Sequence, residues 1–188
     1  MKKWVLLAAL ALVLSPSSAR ADWLFTPNLG TTFGGATNGR EHFTYGVGFG
    51  WMGNGILGWE ADLSYTPEFF EGNDNEFDFI DESNVVGAML NVIVGAPIGG
   101  QFGPGFRPYF TTGMGMLQRE VESDDDLFNM NSNDWGFNVG AGAMGFVTDN
   151  VGFRGDIRYI RAFQDLEDNF DASNFDFWRA TAGLTFRW

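Results

Sequence analysis

A chain of 188 residues carries 24 Asp and Glu against 11 Lys and Arg, a net charge of −13, with 26 Gly and no Cys. That length points to one domain, the acidity argues against nucleic acid and against a basic patch docking on anionic lipid, and without Cys there is neither a disulfide nor a lipoprotein anchor.

At the start of the chain, Lys2 and Lys3, the apolar run Trp4 to Leu14 and the small-x-small triplet Ala19-Arg20-Ala21 follow the order of an export signal. The apolar run is well short of the roughly 20 residues a membrane helix needs. Residues 1–21 are therefore expected to be cleaved, with Ala19 and Ala21 marking the site, and residues 22–188 form the mature domain. Beyond Ala21 there is no Lys, and eight Arg face all 24 acids, a net charge of −16. An exported chain rich in aromatics and glycine, with no later stretch of membrane-helix length, is either a soluble all-β protein or a membrane β-barrel.

Eight alternating segments follow: Trp23–Phe33, Phe43–Met52, Ile56–Tyr65, Val85–Ala96, Phe106–Arg119, Trp135–Val147, Val151–Arg161 and Phe175–Trp188. Each is long enough for a tilted strand to cross a bilayer. Their connections alternate. "GNG", "PIGGQFGPG" and "TDN" are turn chemistry, whereas "GGATNGREH", "TPEFFEGNDNEFDFIDESN", "EVESDDDLFNMNSND" and "AFQDLEDNFDASN" are long and polar. Both termini and every short turn then share one side, the asymmetry of outer-membrane barrels.

In the second segment Phe43, Tyr45, Val47, Phe49 and Trp51 oppose Thr44, Gly46, Gly48, Gly50 and Met52. The third sets Leu57, Trp59, Ala61, Leu63 and Tyr65 against Gly58, Glu60, Asp62 and Ser64. An eight-stranded barrel has only enough interior for side chains to fill, so the aromatic face must point outward and the Gly, Thr, Asn and charged face inward. Aromatics at segment ends fit two interfacial girdles. A lipocalin-like soluble barrel would invert this pattern. "GFGWMG" and "GAGAMG" both satisfy G-x-G-x-x-G, but neither opens a helix, and the glycines instead thin the inner face.

The closing "TAGLTFRW" and "RPYFTTGMG" at Arg107–Gly115, with the export signal and eight Gly-rich strands, resemble the small outer-membrane barrel superfamily that includes OmpA-type, OmpX-type and opacity surface proteins. The resemblance implies an all-β, eight-stranded antiparallel up-and-down transmembrane barrel in the cell outer membrane. Leu184, Phe186 and Trp188 then resemble the C-terminal signal read by the barrel-assembly machinery. The peptidoglycan-binding domain of the full OmpA pattern is not expected in this protein.

The inward set holds Glu60, Asp62, Arg154, Asp156, Arg158, Arg179 and Arg187, and Asp62, Asp156, Arg158 and Arg179 fall at similar mid-barrel heights. Opposite signs should pair there, as a rigid plug or as a gated, proton-sensitive conduit. Glu60 and Asp62 have no accompanying nucleophile. His42, beside Glu41 in the first loop, has Thr44 where outer-face esterases of this architecture place serine, so catalysis is not expected. The loop acids, among them Asp124, Asp125 and Asp126, form a repulsive solvated surface or bind divalent cations that bridge lipopolysaccharide. "NMNSND" has alternate oxygens but not the Gly and distal Glu of a calcium loop. Phe69, Phe70 and Phe77 within these loops extend the strands or meet a partner. The sequence thus describes a non-enzymatic, cofactor-free monomer with a structural or surface-binding role, alternatively a narrow OmpW-like channel.

Overall fold

The computed structural model describes residues 21–37, 40–67, 69, 82–99, 104–122, 130–163 and 175–188. Eight strands run β1 (Ala21–Phe33), β2 (His42–Gly53), β3 (Leu57–Pro67), β4 (Glu82–Gly95), β5 (Gly105–Glu122), β6 (Met130–Phe146), β7 (Val151–Ala162) and β8 (Asp176–Arg187). Each pairs antiparallel with its sequence neighbours, and β8 pairs with β1, closing a barrel. The backbone needs that closure, because a bilayer offers no donors or acceptors to an open edge.

The stagger is legible from the registers. Stepping sideways from Trp23 through Trp51, Trp59, Val92, Thr112, Val139, Tyr159 and Trp178 returns to β1 at Phe33, ten residues beyond the start. Such a shift tilts the strands, and eight of them enclose a bore that side chains can fill.

Alternation assigns the faces. Phe43, Leu63, Leu90, Phe110, Phe153 and Trp188 are exposed on the outer wall, while Thr44, Asp62, Asn91, Thr111, Arg154 and Arg187 are buried within. Aromatics gather toward both ends of the outer wall. Trp23 stacks on Phe49 and meets Trp59 edge-on near the short-turn end, and Tyr159 packs on Trp178 near the other.

The Asn54-Gly55 turn joins β2 to β3 with both residues at positive φ, 52° and 69°, as a tight hairpin requires. Gly55 is needed twice over, since a Cβ there would also lie 2.5 Å from the Arg107 guanidinium carbon. At the β6–β7 turn Thr148 Oγ1 accepts the Val151 N–H at 3.0 Å.

Three strands outrun expectation by three residues or more, β4 by beginning at Glu82. β5 continues to Glu122 and β6 begins at Met130, so "NMNSND" lies largely in a strand and not in a loop. An ion pair between Arg119 and Asp134 spans this extension, where no lipid imposes the apolar alternation that marks a strand.

Candidate functional site in the barrel interior

Three layers fill the lumen. Nearest the short turns Leu24, Met52, Ile93, Tyr109, Met144 and Phe146 pack together; toward the opposite end lie Phe69, Val85, Met89, Leu117, Ile160, Ala162, Phe175 and Phe177. Between them is a charged band.

That band is built by β3, β7 and β8. Alternation places Glu60 and Asp62 inward on β3, Arg154, Asp156 and Arg158 inward on β7, and Arg179 inward on β8, and the barrel curvature brings these strands face to face. Arg154 clamps Glu60, donating through Nη1 to Oε2 and through Nη2 to Oε1 at 3.1 Å. Arg158 Nη2 donates to Glu60 Oε1 at 2.9 Å and its Nε to Asp156 Oδ1 at 3.0 Å, while Nη1 lies 3.6 Å from Asp62 Oδ2. Arg179 Nη2 donates to Asp62 Oδ1 at 2.6 Å.

Tyr109 on β5 completes the band. Its hydroxyl donates to Asp156 Oδ2 at 2.7 Å and accepts from Arg154 Nε at 2.7 Å, and Thr181 Oγ1 donates to Asp156 Oδ1 at 3.2 Å. Gly142 opposite makes the space, because a Cβ there would sit 2.5 Å from the Tyr109 oxygen. Three arginines therefore meet three carboxylates, and the formal charge of the band is zero. Such neutrality is what permits ions in a low-dielectric interior. Beside the network remains a void of about 10 Å³ lined by Thr26, Asn28, Gly48 and the ionic side chains, room for about one water molecule.

Arg187 does not join this group. It lies at the short-turn mouth, 3.7 Å from Asp22, donating from Nε to the Asp149 carbonyl at 2.6 Å and stacking 4.2 Å over Phe146. Arg107 shares Asp22 at 3.7 Å and faces the same ring. Counting along β8 puts Arg187 inward and eight residues beyond Arg179, consistent with its place at the mouth and outside the mid-barrel set.

Tyr109, Arg107 and Asp22 were missed as interior residues, though period two from Thr111 back through Tyr109 to Arg107 carries the signal. Tyr109, Phe146 and Phe177 lie on the inward parity, and they point inward. Phe69 is neither a strand extension nor an exposed contact, since it is buried against Phe175 and Phe177. His42 opens β2 and stacks on Phe69 at 5.4 Å, and Thr44 is buried inside, accepting from Thr66 Oγ1 at 3.0 Å. The pair thus faces the lumen, not the lipid. Ala21 begins β1, while Ala19, Phe70, Phe77 and Asp124, Asp125 and Asp126 lie outside the described residues. No group of His, Asp and Glu able to hold a metal occurs among the described residues.

An apolar wall around a neutral ionic core is the inverse of a soluble protein, and the profile of the outer membrane protein beta-barrel domain family matches residues 5–186. The chain belongs to that family. This outer-membrane barrel is 27% identical over 146 residues to a "22 kDa outer membrane protein" of Rhizobium leguminosarum bv. viciae, a match covering 73% of this chain and 62% of the relative. It therefore spans less than two thirds of that relative's length. In fold it is similar to Neisserial surface protein A (TM-score 0.66, 15% identity, covering 89% of this chain and 99% of the other). The N-terminal β-barrel domain of Pseudomonas aeruginosa OprF (0.54, 17%, 90% and 98%) and Ail of Yersinia pestis, solved with the heparin analogue sucrose octasulfate (0.57, 12%, 89% and 98%), share the architecture. The protein resides in the outer membrane, its outer wall against lipid.

Proposed function

We propose that this outer-membrane barrel is a closed, non-enzymatic, monomeric surface protein and not a solute channel. The observation that carries the reading is the filled lumen, where a neutral band of Glu60, Asp62, Asp156, Arg154, Arg158 and Arg179 sits between two apolar layers. A water column cannot pass a void of about one molecule. The rigid barrel then serves to present its long connections outside the cell.

Those connections are acidic in sequence, with Glu68, Glu71, Asp74, Glu76, Asp78 and Asp81 in one and Asp124, Asp125 and Asp126 in another, flanked by Glu82, Glu120 and Glu122 at the strand ends. Such charge favours a basic protein segment or divalent cations shared with lipopolysaccharide phosphates over a polysulfated ligand of the kind bound by Ail. Residues 1–21 direct export and are cleaved after Ala21, and insertion follows recognition of Leu184, Phe186 and Trp188 by the barrel-assembly machinery. In support, Trp188 exchanges backbone hydrogen bonds with Trp23 at 3.0 and 3.2 Å. Deleting Trp188 is expected to leave the chain in the periplasm, and normal insertion would reduce the residue to a lipid anchor.

Liposome swelling tests the closed reading. Vesicles carrying the refolded protein are expected to swell in arabinose no faster than protein-free vesicles, and swelling at a porin-like rate would establish the channel.

A further inference from the structure

The β1–β8 seam differs from the other seven, whose registers are unbroken. Here pairing skips from Phe25 opposite Phe186 to Asn28 opposite Gly183. The cause is Pro27. Because Trp23 and Trp188 exchange both backbone bonds, every second residue onward occupies a hydrogen-bonded position, which sets residue 27 against Leu184. Proline has no N–H, so the Leu184 carbonyl receives no donor from β1.

The polar side chains beside it are engaged elsewhere. Thr26 and Thr185 bond each other at 3.0 Å, and Asn28 Nδ2 donates to the Thr26 carbonyl at 3.4 Å. Over this gap, on the outer wall, lies an apolar groove of about 570 Å³ walled by Pro27, Leu29, Phe153, Ala182 and Leu184. Its size falls among ligand pockets of about 300–1,000 Å³.

Depth selects the occupant. Leu184 is four residues from Trp188 and six from Trp178, which puts its carbonyl roughly 10 Å inside the short-turn girdle of a tilted strand. Water is excluded there and a headgroup donor does not reach, yet an unsatisfied carbonyl in hydrocarbon is costly. The missing donor has to arrive on an apolar chain.

We propose that this groove binds one lipid acyl chain bearing a hydroxyl along its length, the hydroxyl donating to the Leu184 carbonyl while the chain lies against Leu29, Phe153 and Ala182. The site rests on the membrane location of the barrel, not on whether its interior conducts.

The full chain in phosphatidylcholine nanodiscs is titrated with hydroxystearic acid, hydroxylated at mid-chain, and with stearic acid at equal mole fraction, bound acid being counted by native mass spectrometry. Hydroxystearic acid is expected to bind at least about fivefold more tightly, the worth of one hydrogen bond. Pro27→Val, which supplies the missing N–H, should level the two affinities, and Ala182→Leu should remove both ligands. Equal affinities in the native chain, which need no variant to measure, would overturn the proposal. So would a preference that survives Pro27→Val in a barrel still closed by gel mobility, or a groove covered instead by a second copy of the chain.

Discussion

Arg158 meets Glu60, Asp156 and Asp62 at once, so removing it leaves carboxylates buried without their cation. Arg158→Ala is expected to lower stability by about 3–5 kcal/mol, measured by urea titration of the refolded barrel in lipid vesicles. Removing both members of the Arg179–Asp62 pair should cost less than either single change, a non-additivity that a double-mutant cycle reads directly. At the mouth, Asp22 balances Arg107 and Arg187 over long contacts of 3.7 Å, and Asp22→Asn should cost about 1–2 kcal/mol. Gly142→Val drives a side chain into Tyr109 and Asp156 and should cost about 1–3 kcal/mol. Gly145→Ala is its control, because a Cβ there meets no atom within 4 Å, and its unfolding midpoint should stay at the native value.

At the scale of the element, β5 and β6 show what organises a strand once lipid no longer does. Above the outer girdle their register continues through Glu120 opposite Asn131 and Val121 opposite Met130, with Arg119 paired to Asp134 and lying 4.7 Å over Phe175. Both partners of that ion pair are partly solvated, so Arg119→Ala should change global stability by no more than about 1 kcal/mol. Amide exchange at Val121 and Met130 should nevertheless quicken, because the Arg119–Asp134 pair bridges the two strands just below them. The same contrast explains where sequence reading succeeds. Within the bilayer every strand was legible, since lipid outside and a narrow bore inside force period two on residues such as Phe43 to Met52. Beyond it "NMNSND" reads as loop, because polar residues on both faces carry no period.

Over the whole molecule, the volume argument assigned most aromatics outward and was right for Trp23, Phe49, Trp59 and Trp178. Tyr109, Phe146 and Phe177 point inward, where period two groups them with Thr111, Met144 and Arg179. Glycines opposite leave more interior volume than a face-by-face count suggests, and aromatics fill it above and below the ionic band. The pairing of Glu60, Asp62, Asp156, Arg154, Arg158 and Arg179 follows from alternation plus charge neutrality. Arg187 stands apart because it lies eight residues beyond Arg179 on the same strand, at the short-turn mouth. The proposed closure is thus collective, with the ionic band and the two apolar layers stacked along one lumen. Single-channel recording in planar bilayers tests it most directly. The native barrel is expected to stay silent, and the paired Arg158→Ala and Asp156→Ala variant to show at most brief, small openings because the apolar layers remain. Sustained ion current through the native protein would contradict the account.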